Sequence, residues 1–230
     1  IQKVNHMFQR IAFLFLFMFF SNFANAIDEN GMFSEAAKFT QQGNYSEAEK
    51  IYKKLLNGNN PQRAATMLGT IAEEQRKYPE AIKWYEKSGD SIARFNLAAM
   101  YLEGKGVEQD YDKAVKLYLP LVQENFPYAK HYLGRLYLEG LGVPLDVNKA
   151  IQLLTEASDV VDKAGYDLGQ IYKEGYKVPI SSEKSSKFFR KSCKLGYQLA
   201  CQEYDMNIKK MAKMIGVSEE TLKYMDNKEN

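Results

Sequence analysis

Apolar residues recur at helical spacing through most of the 230-residue chain. In "AKHYLGRLYLEG" Leu133, Gly134 and Tyr137 fall at i, i+1 and i+4 on one stripe, and in "DVNKAIQLLTEAS" Ala150, Leu153 and Leu154 do the same. Strand-like alternation of Val, Ile and Thr is scarce, and Ala, Leu, Tyr, Lys and Glu are abundant, so the pattern predicts an all-α protein.

The stripes repeat. Aligned on a small residue, "NYSEAEKIYKKLL" (Ala48), "KYPEAIKWYEKS" (Ala81), "DYDKAVKLYLPLV" (Ala114), "DVNKAIQLLTEAS" (Ala150) and "SSEKSSKFFRKSC" (Ser185) are 33, 33, 36 and 35 residues apart. A second phrase keeps step upstream, around Leu68, Leu97, Leu133 and Leu168. Each unit is therefore two short helices, A and B, that cannot bury an apolar face without neighbours. The expected fold is a right-handed α-solenoid of about five helix-turn-helix repeats, residues 27–207, closed by a C-terminal helical cap, residues 208–230.

Between A and B two units carry "YLEGKGVEQDYDKA" and "YLEGLGVPLDVNKA". Glycine-rich turns before a helix bind anions in some proteins and merely end helices in others. In the fifth unit the phrase becomes "YKEGYKVPISSEKS", with Lys177 at the second glycine and Ser181 at the aspartate. A phosphate cradle would not survive that change, whereas a joint would. Gly104, Gly140 and Gly175 are expected to end helix A in the left-handed conformation, with Gly106 and Gly142 easing the turn. Val107, Val143 and Val178 are expected to tuck inward, and Asp110, Asp146 or Ser181 to cap helix B.

The first 26 residues differ in kind. Arg10, the apolar run Ile11–Phe20 and Ala24-Asn25-Ala26 form a signal-peptide pattern, with Met7 as the expected start and residues 1–6 upstream of it. A permanent transmembrane helix is the alternative, although a span needs roughly 20 apolar residues. Cleavage after Ala26 would deliver a periplasmic or secreted protein. It would also remove Lys3 and Arg10 and no acid, taking Lys plus Arg from 31 to 29 against 29 Asp plus Glu. A basic nucleic-acid surface then has little support.

Catalytic inventory is thin. His6 and His131 are the only histidines, and His6 would leave with the signal peptide, so a histidine-based zinc site or a triad with more than one candidate histidine is excluded, and no cofactor or metal is expected. Ser181-Ser182-Glu183-Lys184 satisfies the S-x-x-K of serine β-lactamases, but Ser181 and Lys184 align with Asp110 and Lys113, and with Asp146 and Lys149, as repeat positions. Cys193 and Cys201 flank "KLGYQLA" at a helix B end and a helix A start; in an exported protein a disulfide is expected, with two free thiols as the alternative. In "IKKMAKMIGVSEETLKYM" the residues Ala212, Gly216 and Leu222 have helix-turn-helix spacing, and a terminal hairpin covering the open end of the stack is the competing reading.

The third and fourth units closely resemble the Sel1-like repeat (SLR) family, relatives of the tetratricopeptide repeat, whose units read roughly A-x-x-x-L-G-x-x-Y-x-x-G-x-G-V-x-x-D-x-x-K-A. Ala81, Ala114 and Ala150 occupy its alanine position. The first two units lack the glycine loop and look like plain tetratricopeptide units, turning at Gly43-Asn44 and Arg76-Lys77. The resemblance implies a non-enzymatic module that holds a peptide or protein in a concave groove, in a scaffold, host-interaction or immunity-type role. By register it places Thr66, Phe95, Tyr128, His131, Arg135, Tyr166, Gln170 and Lys173 in that groove. "KSCKLGYQLACQ" is similar to the clip of cysteine-rich exported SLR proteins, which implies weak β-lactamase or penicillin-binding activity as the alternative.

Overall fold

The computed structural model describes residues 28–228, which form twelve helices and their connections, with no strand among the described residues. The segment expected to be a signal peptide lies outside the described residues. Two compact units are present: residues 28–100 with Gly104–Glu108, and Tyr101–Glu103 with residues 109–228.

The first unit holds α1 (28–41), α2 (Tyr45–Leu55), α3 (Pro61–Glu74), α4 (Tyr78–Ser88) and most of α5 (Ser91–Glu103). Phe33 and Ala36 of α1 meet Tyr52 and Leu55 of α2 and Leu68 and Ile71 of α3 in one core. Gly69 leaves room for Tyr85 of α4: a Cβ there would come within 2.5 Å of the tyrosine ring. The Tyr85 hydroxyl donates to Glu73 Oε2 at 2.9 Å and accepts from Asn96 Nδ2 at 3.2 Å, and burial pushes its pKa well above the ordinary phenol value.

The second unit continues with α6 (Tyr111–Gln123), α7 (Pro127–Glu139), α8 (Val147–Ala157), α9 (Asp162–Glu174), α10 (Ser182–Lys194), α11 (Gln198–Ile215) and α12 (Glu219–Lys228). The same packing recurs. Leu154 of α8 sits over Gly134 of α7, and Phe189 of α10 over Gly169 of α9, where an added Cβ would lie 2.4 Å from the ring. In each case the large residue lies four positions after the aligned small residue, on the stripe that faces helix A. Tyr52, Tyr85 and Tyr118 hold that position elsewhere and are fully buried.

The glycine phrase is a joint. Gly104, Gly140 and Gly175 cap their helices at φ 68°, 72° and 70°. Gly106, Gly142 and Lys177 follow at φ 71°, 66° and 53°. Val107, Val143 and Val178 are half-buried. The N–H groups of Asp110, Asp146 and Ser181 each return to a tyrosine carbonyl in the preceding helix A, from Tyr101, Tyr137 and Tyr172, at 2.9 Å. Their side chains then accept from the N–H of Lys113, Lys149 and Lys184 at 2.9, 2.9 and 3.2 Å. Two of the amides at each helix B start are thus bonded within the joint.

Cys193 of α10 and Cys201 of α11 form a disulfide with Cα atoms 4.7 Å apart. Closing so short a loop restricts the unfolded chain by about 2 to 3 kcal/mol in the chain-entropy model. Helix α11 runs unbroken through residue 207, so the last helix A and the start of the C-terminal segment are one element. Gly216 ends it at φ 73°, the Ser218 hydroxyl accepts from the Thr221 N–H, and Leu222 of α12 packs with Tyr204, Ile208 and Ala212 of α11.

Gly169→Ala is expected to destabilise the protein by about 1 to 3 kcal/mol, because the Phe189 ring must move out of a packed core. Urea unfolding followed by circular dichroism reads it; an unchanged midpoint would contradict the packing.

Candidate functional site

The C-terminal halves of α7 and α9 place charged, polar and apolar side chains side by side. On α7, His131, Arg135, Leu138 and Glu139 fall at i, i+4, i+7 and i+8 and share one stripe. On α9, Asp167, Gln170, Ile171 and Glu174 fall at i, i+3, i+4 and i+7. Between the stripes lies a cleft of about 290 Å³, lined by Arg135, Leu138 and Glu139 on one side, by Asp167, Gln170, Ile171 and Glu174 on the other, and by Tyr176 past the helix end.

A second cleft of about 290 Å³ flanks α7 on its other side, lined by Leu102, Glu103, Tyr111, Tyr132, Leu136 and Leu141. Arg135 and Glu139 belong to both clefts, and their side chains, half exposed, stand 3.7 Å apart (Nη2 to Oε1) as the wall between them.

His131 Nε2 lies 2.8 Å from Asp167 Oδ2 beside the first cleft. The histidine side chain is 4% exposed and the aspartate 26%. The pair ties α7 to α9, two helices from successive repeats. Lys130, also buried, joins α7 to α8 through Glu156 Oε2 at 2.8 Å, and that contact holds the Glu156 carboxyl below the usual carboxylate range.

The eight residues expected in a groove divide. Thr66 is buried, its hydroxyl 2.8 Å from Ser88 Oγ and 2.7 Å from Asp90 Oδ2, so it serves a hydrogen-bond cluster in the first unit and presents nothing to a partner. His131 is likewise buried, drawn inward by Asp167, and does not line an open surface. Phe95 is half-buried in the first unit. Tyr128 is exposed, its ring 6.2 Å from that of Phe126. Tyr166 is half-buried against Phe189 and Tyr197, with centroids at 5.7 and 5.1 Å, and accepts from Gln170 Nε2 at 2.7 Å. Lys173 pairs with Glu203 of α11 at 2.7 Å. Arg135 and Gln170 meet in the cleft between α7 and α9.

Register alone missed Leu138, Glu139, Asp167, Ile171, Glu174 and Tyr176. One signal was available: Glu103, Glu139 and Glu174 are the same letter of the repeat, each directly before the glycine that ends helix A.

At the S-x-x-K stretch Ser181 Oγ accepts from the Lys184 N–H at 3.2 Å, and Lys184 Nζ lies 4.9 Å from the centre of the Tyr172 ring. Ser181 serves here as the cap of α10, as its aligned aspartates do for α6 and α8. Among the described residues no group of three or more His, Cys, Asp or Glu side chains could hold a metal ion, and no helix is long and apolar enough to cross a membrane.

A fold of stacked A/B pairs with these joints defines a helical-repeat protein of the solenoid class. The Sel1 repeat model matches residues 63–91, 91–121, 127–159 and 163–197, more than half of the chain, so the chain belongs to the Sel1 repeat family. Sel1 repeats are protein-interaction modules, which supports a non-enzymatic interaction role. No match is found among curated proteins.

Solved structures resemble it. Protein c5321, a protective antigen of uropathogenic Escherichia coli with an SLR fold, aligns at TM-score 0.70 and 24% identity over 83% of this chain; the alignment spans 43% of c5321. A Sel1 repeat protein of Oxalobacter formigenes aligns at 0.67 and 25% identity, covering 77% of each chain. A sel1 repeat protein of Klebsiella pneumoniae aligns at 0.52 and 21% identity, covering 78% of this chain and 93% of its own.

Removing Asp167 leaves the buried His131 without its hydrogen bond, and removing His131 takes a packed ring from the core and leaves a partly exposed carboxylate unpaired. His131→Ala and Asp167→Ala are each expected to lower stability by about 1 to 3 kcal/mol. The double variant should lose less than the sum, with a coupling of about 0.5 to 3 kcal/mol in urea unfolding. Strict additivity would mean that the pair does not join the two repeats.

Proposed function

We propose that this chain is an exported SLR protein that holds a segment of another protein against α7 of its second unit. The observation that carries the reading is the pair of clefts sharing the Arg135–Glu139 wall. Apolar floors flanked by polar, half-exposed side chains are what an interface core and rim require, and Arg and Tyr are the residue types enriched at binding hot spots. Family membership supports an interaction role, and the capped geometry of Ser181 gives no support to β-lactamase chemistry.

Export is the second part of the reading. The disulfide between Cys193 and Cys201 is compatible with a periplasmic or extracellular location, where such bonds persist. Cleavage after Ala26 would leave Ile27 as the first residue of the mature chain.

Two experiments test the parts separately. Expressed in a Gram-negative host, the protein should be recovered from the periplasm with Ile27 at its N-terminus by Edman sequencing; a full-length cytoplasmic product would refute export. A photo-crosslinking amino acid at Arg135 should trap a partner that the same group at Lys116, exposed on α6, does not trap. Equal trapping from both positions would refute the cleft surface.

A further inference from the structure

Resting on that interaction reading, we infer that the two clefts beside α7 receive basic side chains, the lysines or arginines of a partner segment. Four carboxylates rim the clefts, on Glu103, Glu139, Asp167 and Glu174, and Arg135 is the single basic residue among the lining residues. Arg135 itself already faces Glu139. The rim is therefore net acidic, which selects cations and repels acidic segments.

Helix geometry adds to that field. Glu103, Glu139 and Glu174 are the final residues of α5, α7 and α9. A helix C-terminus carries a partial negative charge from its aligned peptide dipoles, so each carboxylate reinforces the local potential where a lysine or arginine would have offset it. No basic residue occupies the last turn of α5 or α7.

The floors suit the stems of such side chains. Leu102, Leu136 and Leu141 lie under one cleft and Leu138, Ile171 and Tyr176 under the other. Lys and Arg bury their methylene chains along apolar surface while the charged head stays at the rim. Gln170 lines the first cleft, and its Oε1 is a buried acceptor with no hydrogen-bond partner among the described residues.

Fluorescence anisotropy with three labelled peptides decides the matter: alternating lysine and leucine, alternating glutamate and leucine, and the lysine peptide with its amines acetylated. The lysine peptide should bind and the other two should not. Glu139→Gln with Glu174→Gln should weaken it roughly tenfold, the scale of two rim ion pairs. The charge-matched control Glu183→Gln with Glu220→Gln, both exposed and away from the clefts, should leave binding unchanged. Equal loss in both double variants would mean diffuse attraction and would overturn the inference. Binding of the glutamate peptide that Leu138→Ala abolishes would also overturn it, while keeping the clefts as the interaction surface. No binding by any peptide overturns the basic occupant, and trapping from position 135 then decides separately whether the surface binds a partner at all.

Discussion

Everything in this fold depends on how closely a helix B can approach its helix A. Tyr85 over Gly69, Leu154 over Gly134 and Phe189 over Gly169 are one contact made in three repeats. The missing Cβ on helix A becomes the hole, and the residue four positions after the aligned alanine or serine becomes the knob. Neither helix is stable alone at 11 to 14 residues, since isolated helices of that length are marginal in water. Docking the knob removes a large apolar side chain from water and orders both helices together. A repeat is thus defined by this contact more than by the loop that joins its helices.

The joint has a separate logic, set by the backbone. After the left-handed glycine a second left-handed residue turns the chain back, and the cap residue's N–H closes onto a tyrosine carbonyl. Gly142 is held to glycine by space as well as by φ, since a Cβ there would lie 2.6 Å from the Tyr111 carbonyl group. Lys177 shows that a lysine can take the same conformation at a cost of roughly 1 kcal/mol. The glycine phrase is a geometric requirement that one copy meets without its second glycine.

These two rules explain what was legible in the sequence. Helix pairing, the joints, the Ser181 cap and the proximity of Cys193 and Cys201 are local or obey the repeat period, so spacing revealed them. The groove residues were inferred from the same period, and there it failed at Thr66 and His131. Register says which way a residue points from its own helix. It does not say whether another segment supplies a polar partner that draws the side chain inward, as Asp167 does for His131 and Ser88 with Asp90 does for Thr66. Those partners are 36, 22 and 24 residues away and follow no repeated letter.

The repeated phrase also contains one residue that neither makes the joint nor fills the core. Its glycines set the turn, its tyrosine supplies the carbonyl that closes the joint, its aspartate caps helix B and its alanine admits the neighbouring helix. The glutamate before the first glycine does none of these. At a helix C-terminus an anion is opposed by the dipole by about 0.3 to 1 kcal/mol, and it caps no carbonyl. Glu103, Glu139 and Glu174 nonetheless stand exposed at the rims of the clefts beside α7, and Glu139 reaches back 3.7 Å to Arg135 one turn earlier. In a scaffold whose other repeated letters are consumed by packing and turning, this one is the letter left facing solvent at the cleft rims.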